Sequence, residues 1–251
     1  MTRNGWRQEL TMRPDQSALS LNVPYSSTTL NRSFGDSTIF HEGDMGSTAE
    51  LLEVCPRFRI LVIGKSGAGK SSLINSAFDV QYANVSHDLP GISDIKQGII
   101  SEQNPLFVVH DSQGFAAGET QNFETVKRFI DERAKEPELK DRLHAIWFCM
   151  EIPTENGALF QKADENFLKL ELHNVPVIIV FTKFDLLISK FEREATDILD
   201  ENKLDHAVHQ RAEKFFQETC VRPLKRIASS HVYVKVSSNV TDFCRWFNCS
   251  I

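Results

Sequence analysis

The chain has 251 residues, of which 41% are hydrophobic and 25% charged, a balance typical of a protein with a globular core. The formal net charge of −6 argues against a nucleic-acid partner bound mainly through its phosphates. No apolar run approaches the ~18 residues of a membrane-spanning helix, so we expect no transmembrane segment. The five cysteines form no C-x-x-C pair, which favours reduced thiols in an intracellular, cytoplasmic protein.

The first part of the chain differs in composition from the rest. Residues 1–46 are rich in Ser, Thr, Asn and Gly and show neither a helical nor a strand period. We predict a disordered N-terminal tail over 1–46 and a folded domain over 47–251. The last predicted strand lies close to the C-terminus, as expected if this domain is cut short.

The most informative stretch of the sequence is FRILVIGKSGAGKSSLINSA, residues 58–77. An apolar strand leads into a glycine-rich turn and then a helix, and the turn matches G-x-x-x-x-G-K-[ST] completely. Glycines let successive backbone N–H groups point at a polyphosphate, and the helix start adds further donors and a positive dipole. The predicted phosphate-binding residues are Gly64, Lys65, Ser66, Gly67, Ala68, Gly69, Lys70, Ser71 and Ser72.

Four residues are predicted to handle the terminal phosphates and Mg²⁺. Lys70, expected at an exposed helix start, would reach the β- and γ-phosphates, and the Ser71 hydroxyl would bind Mg²⁺. Asp111 follows an apolar strand and would be a second Mg²⁺-associated group. In the D-x-x-G sequence DSQG, Gly114 would bring its N–H to the terminal phosphate and act as a hinge. Lys70 and Gly114 are therefore the predicted catalytic residues, although D-x-x-G alone also suits an ordinary turn.

A second motif, TKFD at residues 182–185, indicates which base is bound. The Asp185 carboxylate would accept hydrogen bonds from both donors on the guanine edge, a pair that adenine lacks. Lys183 would lay its aliphatic stem along the base, and Thr182 opens the motif. The alternative for Asp185 is a helix N-cap. Ser237 and Ser238, after the last predicted strand, would offer a backbone N–H to the guanine carbonyl, or form an ordinary turn.

Strand-like and helix-like segments alternate along the rest of the domain. This order predicts a three-layer α/β fold, with a mostly parallel central sheet, helices on both faces and the motifs at the carboxyl ends of the strands. The predicted strands are 60–63, 95–101 (an edge strand), 105–110, 143–150, 175–181 and 231–236. The predicted helices are 72–78, 119–136, 156–172 and 186–227, the last broken near 200–203 and ended by Pro223.

Taken in order, GKSGAGKS, DSQG, TKFD and the serine pair resemble a P-loop GTPase G domain of the translation-factor-related (TRAFAC) class. Septin-like and Era-like members are the most similar in pattern, and the strand HAIWFC also resembles uncharacterised fungal G-domain proteins. The resemblance covers about residues 57–248. It implies the P-loop NTPase fold, binding of GTP and GDP, Mg²⁺ as cofactor and a nucleotide-dependent conformational switch.

The sequence departs from this family pattern at three positions. The stretch LPGISD resembles the family's PGTTRD, which would make Ser93 the switch ligand of Mg²⁺, with a plain loop serine as the alternative. Phe115 stands where many members carry a water-orienting Gln, so hydrolysis should be slow or need a residue from a partner. The guanine motif begins with Thr182, where the family more commonly has Asn, so we expect this residue to support the neighbouring loop less firmly.

The leading hypothesis is a guanine-nucleotide switch with slow Mg²⁺-dependent GTP hydrolysis, hence a weak GTPase that acts on GTP and whose partner is a protein effector or another copy of the chain. One alternative is a non-hydrolysing module that holds GDP or GTP and assembles with copies of itself in a nucleotide-dependent way. Another is a P-loop ATPase or small-molecule kinase, which would require that Asp185 does not contact the base.

Overall fold

The computed structural model describes residues 52–78, 94–114, 120–155, 159–195 and 201–237. The chain divides into two units, Met1–Asp44 and Met45–Ile251, and every described residue belongs to the second. The predicted tail over 1–46 therefore lies outside the described residues. Among the described helices, none combines the length and the apolar composition that crossing a bilayer requires.

Five parallel strands form the central sheet in the order β2-β1-β3-β4-β5. The three inner strands are almost continuously apolar, as expected where helices cover both faces of a parallel sheet. The strands are β1 (Phe58–Gly64), β2 (Phe107–Asp111), β3 (Ala145–Glu151), β4 (Val177–Thr182) and β5 (Val232–Lys235).

Helices cover both faces of the sheet, so the predicted three-layer architecture is confirmed. Helix α1 buries Leu73, Ile74 and Phe78 on one face, and the remaining helices pack phenylalanines and aliphatic side chains on the other. The helices are α1 (Lys70–Phe78), α2 (Thr120–Ala134), α3 (Lys162–Leu168), α4 (Phe184–Glu194), α5 (Glu201–Phe216) and α6 (Arg222–Ile227), with a π-helical segment at Gln217–Val221.

Two predicted elements are shorter in the structure. Of the segment predicted as a helix over 156–172, the described part, 159–172, is α-helical from Lys162 to Leu168, because a capping box between Gln161 and Asp164 fixes the start of the helix. The predicted edge strand over 95–101 is reduced to one antiparallel bridge between Ile99 and Val109 within the described residues.

The prediction that Pro223 ends the last long helix is wrong. Helix α6 runs from Arg222 to Ile227 and has the proline in its first turn, where a missing N–H is tolerated. The π-helical segment Gln217–Val221 precedes it and changes the hydrogen-bond register between α5 and α6. The proline is thus placed at the start of a new helical segment.

Candidate nucleotide-binding site

The predicted motifs lie at one edge of the sheet, where parallel strands end. Strand β1 leads into the phosphate loop, β2 ends at Asp111, and β4 ends at Thr182. Because β2 and β3 flank β1, and β4 follows β3, these strand ends are neighbours. The topology thus brings together motifs that are more than 100 residues apart in sequence.

The phosphate loop, residues 64–70, requires glycine at its first position. Gly64 has a φ of +142°, and a Cβ there would lie 2.3 Å from the backbone oxygen of Cys149 on β3. Any side chain would therefore force β1 and β3 apart just where the loop begins. Gly67 and Gly69 also have positive φ, at +78° and +80°. The glycines predicted to shape the loop do adopt the unusual backbone angles.

Lys70 is folded into the loop. Its Nζ donates hydrogen bonds to the carbonyl oxygens of Gly64 and Lys65, each at 3.1 Å, and the residue is only 8% exposed. The expectation of an exposed helix start is therefore wrong, because the loop encloses the side chain. Burial lowers the pKa of Lys70, while the nearby Asp111 carboxylate raises it. The ammonium group is held at the centre of the loop.

Asp111 presents a buried carboxylate beside Lys70. It is 6% exposed, and its Oδ1 has no hydrogen-bond partner within the described residues. Burial raises the pKa of Asp111 to about 6, against the opposing charge of Lys70. A carboxylate oxygen and a serine hydroxyl suit Mg²⁺ shared with phosphates, so this orphaned oxygen and the half-buried Ser71 fit such a cation. Ser93 lies outside the described residues.

The D-x-x-G glycine lies directly against the phosphate loop. A Cβ on Gly114 would be 2.3 Å from the Ser66 nitrogen and 2.7 Å from its Cα. The Gly114 carbonyl accepts a hydrogen bond of 3.2 Å from the Asn122 side chain on α2, a contact the sequence did not predict. The two segments predicted to face the phosphates are therefore in van der Waals contact. Phe115, the next residue, is not among those described.

Thr182 connects the base motif to the phosphate loop. Its Oγ1 donates to the Ala68 carbonyl at 2.9 Å, and a second carbonyl, that of Met150, lies at 3.3 Å. This buried hydroxyl supports the loop directly, which counts against the looser support expected from the missing Asn. Lys183 adopts a left-handed conformation with φ +62°, and Asp185 lies in the first turn of α4.

The end of β5 is fixed to the base motif by backbone hydrogen bonds. The Val236 N–H donates to the Phe181 carbonyl at 2.7 Å, and the Phe184 N–H donates to the Val236 carbonyl at 3.1 Å. Ser237 follows directly, so it lies beside the motif, as predicted. Ser238 is outside the described residues.

Two acidic residues that the sequence analysis did not single out pair with lysines of the motifs. The Lys65 Nζ lies 2.9 Å from Asp164, and the Lys183 Nζ lies 2.9 Å from Glu151. The sequence did contain a weak signal for the role of Asp164 in a helix start, because Asp164 stands three residues after Gln161, the spacing of a capping box. The sequence around Asp164 gives no indication that its carboxylate pairs with Lys65.

Comparison with known proteins agrees with this geometry. Residues 59–183 match the family described as 50S ribosome-binding GTPase. The chain carries a P-loop GTPase G domain. GTPase Era of Ruminiclostridium cellulolyticum is 24% identical over 209 residues, covering 73% of this chain and 66% of its own length. The probable GTP-binding protein EngB of Porphyromonas gingivalis is 28% identical over 155 residues, covering 60% of this chain and 74% of its own.

Solved structures similar to this G domain include two GTP-binding proteins. A probable GTP-binding protein EngB aligns with a TM-score of 0.43 at 17% identity, covering 76% of this chain and 94% of its own. The septin GTPase domain of Chlamydomonas reinhardtii gives a TM-score of 0.35 at 17% identity, covering 57% and 63%. The chain spans just under two thirds of the length of the Era relative.

Proposed function

We propose that this protein is a guanine-nucleotide switch that binds GTP and GDP with Mg²⁺ and hydrolyses GTP slowly. The observation that carries the proposal is the 2.9 Å hydrogen bond from Thr182 to Ala68. It joins the segment that would select the base to the loop that would hold the phosphates. A single ligand with a guanine base and a polyphosphate matches both segments.

The phosphate loop would hold the diphosphate by its backbone N–H groups and by Lys70. The Lys70 ammonium now donates to two loop carbonyls, which places it at the centre of the proposed cradle. Gly64, Lys65, Ser66, Gly67, Ala68, Gly69, Lys70, Ser71 and Ser72 form this part of the proposed site. The start of α1 adds the positive end of a helix dipole.

Mg²⁺ would be held by Ser71, Asp111 and Ser93 together with phosphate oxygens. When bound, the cation would offset negative charge that develops on the transferred phosphoryl group. The buried, unpartnered Oδ1 of Asp111 is the described atom that favours this assignment. Asp111 would be the one negatively charged side chain among these three protein ligands.

The base would be recognised at the ends of β4 and β5. Asp185 would accept from the two guanine donors, Lys183 would cover the base with its stem, and Ser237 and Ser238 would face the guanine carbonyl. The left-handed conformation of Lys183, rare outside glycine and asparagine, supports a functional constraint on this turn. The backbone bonds that tie Val236 to Phe181 and Phe184 support the inclusion of Ser237.

Hydrolysis would rest on Lys70 and on the N–H of Gly114, without a polar group at position 115. A phenylalanine ring cannot hydrogen-bond the attacking water, so turnover should be slow unless a partner supplies a residue. The described cysteines, Cys55, Cys149 and Cys220, are free thiols, which favours work in a reducing compartment such as the cytoplasm. A protein effector, or nucleotide-dependent self-association, would transmit the state of the switch.

The test is to identify the nucleotide that co-purifies and to measure binding of GDP, GTP and ADP by calorimetry with Mg²⁺. We expect guanine nucleotide in the purified protein, tight GDP binding and no measurable ADP binding. Single-turnover phosphate release at low and high protein concentration then measures hydrolysis. A preference for ADP would overturn the assignment, and guanine binding without phosphate release would identify a non-hydrolysing module.

A further inference from the structure

An ion pair fixes the phosphate loop to helix α3. The Lys65 Nζ lies 2.9 Å from Asp164 Oδ2, and the Asp164 side chain is only 1% exposed. The same Oδ2 accepts a hydrogen bond of 2.8 Å from the Gln161 N–H. A buried carboxylate needs such partners, because removal of either one leaves an uncompensated charge in the interior. The position of Lys65 is therefore strongly determined.

Lys65 in turn fixes the geometry of the loop through its backbone. Its carbonyl oxygen accepts one hydrogen bond from the Lys70 Nζ at 3.1 Å and another from the Ala68 N–H at 3.2 Å. A displacement of Lys65 would move the acceptor that both groups share. The contacts thus form a chain from Asp164 through Lys65 to the ammonium that would bind the β-phosphate.

The side of the loop that faces α3 is not closely packed. A cavity of about 250 Å³ is lined by Lys65, Ser66 and Ala68 of the loop, by the end of β3 and by Asp164 of α3. A loop backed by a cavity has fewer van der Waals contacts to hold it in place. The ion pair of Lys65 with Asp164, both of which line this cavity, should therefore carry much of the support on this side.

From these contacts we propose that Asp164 is a positioning residue of the nucleotide site. It acts through Lys65, holding the phosphate loop in its binding shape and slowing the release of GDP. This proposal rests on the proposed function, since it concerns the same site. It also assigns the Lys65 side chain to loop support, while its backbone remains part of the phosphate cradle.

A competing role for Lys65 makes the opposite prediction. If its ammonium bound phosphate directly, Asp164 would compete with the nucleotide for it. Replacing Asp164 with Asn would then free Lys65 and slow GDP release. In the proposed arrangement the same replacement loosens the loop and speeds release. The sign of the change in release rate therefore separates the two roles.

The experiment measures release of a fluorescent GDP analogue from the Mg²⁺-loaded full chain by stopped flow. Asp164→Asn is nearly isosteric and keeps an acceptor for the Gln161 N–H, so the helix cap is retained. We expect release about tenfold faster, the effect of losing one charge-assisted contact. The matched control is Glu165→Gln on the next residue of α3, which pairs only with Lys162 and Lys169 among the contacts of the described chain and should leave release unchanged.

Further variants show whether the effect passes through Lys65. Lys65→Met should speed release to a similar extent, and Lys65→Arg should restore slow release because it keeps the ion pair. The double variant Lys65→Met/Asp164→Asn should be no faster than either single variant, since both remove the same contact. If Asp164→Asn does not fold, Asp164→Ser, which also removes the carboxylate and keeps an oxygen for the Gln161 N–H, decides the question by the same sign: faster release supports the positioning role and slower release overturns it.

The possible outcomes distinguish failure of the positioning role of Asp164 from failure of the proposed guanine-nucleotide function. Unchanged or slower release in Asp164→Asn, or additive effects in the double variant, would overturn the positioning role while leaving guanine-nucleotide binding by the wild type intact. A wild-type chain that binds no guanine nucleotide would instead overturn the proposed function. Equal melting temperatures of Asp164→Asn and wild type, with faster release, would exclude a general loss of stability as the cause.

Discussion

The two ends of strand β1 differ in how completely their polar groups are satisfied. Near its amino end lies a cluster that we call the Arg59 network, made of Cys55, Arg59, Asp141 and His144. Arg59 donates to Asp141 Oδ1 at 2.9 Å through its side chain and to His144 Nδ1 at 2.9 Å through its backbone. The His144 Nε2 lies 3.2 Å from the Cys55 sulfur. This network is satisfied from within the chain.

The carboxyl end of the sheet shows the opposite pattern. Asp111 Oδ1 and Ser112 Oγ are buried and have no partner within the described residues. Left-handed residues lie at both ends of the sheet, Lys183 after β4 and His173 and Asn174 before it, so backbone angles do not distinguish the two ends. Buried polar groups without partners cost stability, and a bound ligand can compensate them. His231 Nδ1, just before β5, is also such an atom, so the contrast lies between the Arg59 network, which serves stability, and the unpartnered atoms of Asp111 and Ser112, which suit a ligand.

The largest effect that would test this difference is expected for Lys70→Ala. Nucleotide affinity should fall about 100-fold, because Lys70 is the buried cation at the centre of the loop and charge-assisted contacts are the strongest of their kind. Alanine continues the helix, but some loss of stability should accompany the change because the buried Asp111 loses its neighbouring positive charge, so affinities are compared at a temperature at which both proteins are folded. Calorimetry with GDP measures the loss of affinity, with Lys96→Ala, whose ion pair is exposed, as control. Equal GDP affinity would contradict the site assignment.

A substitution in the base motif should lower GDP affinity somewhat less than Lys70→Ala does. Asp185→Asn replaces one acceptor with a donor, which faces the guanine amino group unfavourably but suits the carbonyl of xanthine. A mispaired buried group costs about 1–3 kcal/mol, so GDP affinity should fall at least about tenfold. Competition between GDP and xanthosine diphosphate on both proteins measures the change in preference. Retained guanine preference would show that Asp185 acts only in the helix start.

How much of this site could be read from sequence depends on the distance between partners. The phosphate loop and the strand ends follow local patterns, so Gly64–Ser71 and Asp111 could be placed in advance. The contact of Thr182 with Ala68 spans 114 positions, and that of Lys65 with Asp164 joins separate elements. No local period encodes such pairings, because they depend on how β1, β3 and β4 align. The burial of Lys70 was missed for a different reason: its acceptors, the carbonyls of Gly64 and Lys65, are close in sequence, but no residue pattern marks a side chain that folds back into its own loop.

Asp111→Asn should change stability in the direction opposite to most charge removals. Burial raises the pKa of Asp111 to about 6, so at pH 7.5 the folded state carries an unfavourable charge. A pKa difference of this size, which already includes the favourable charge of Lys70, corresponds to up to about 3 kcal/mol. We expect a smaller gain in unfolding free energy, about 1–2 kcal/mol, because the asparagine amide that replaces the carboxylate is itself a buried polar group. Urea unfolding measures it.

The matched control for Asp111→Asn lies in the Arg59 network. Asp141→Asn removes a partly exposed ion pair and should lower the free energy of unfolding by about 0–1 kcal/mol. The two variants thus make the same chemical change at opposite ends of the sheet, and we expect opposite signs. A loss of stability in Asp111→Asn as large as in Asp141→Asn would contradict the comparison.

The smallest expected effect concerns the pH dependence of the Arg59 network. Burial, followed by the charge of the Arg59 guanidinium, lowers the pKa of His144, whose Nδ1 accepts the Arg59 N–H. The unfolded state therefore binds the proton more readily, and the free energy of unfolding should fall as the pH drops below about 6.5.

The variant that tests this pH dependence is His144→Asn, which keeps an acceptor but cannot be protonated. It should cost about 1 kcal/mol at pH 7.5, through the lost contact with Cys55, and show a shallower decrease toward pH 5.5. His110 and His231, whose pKa values are also lowered, remain in both proteins, so the difference isolates His144. Urea unfolding at both pH values measures it, with His206→Asn on the exposed face of α5 as control. An equally steep decrease in His144→Asn and wild type would show that the network does not depend on a neutral imidazole.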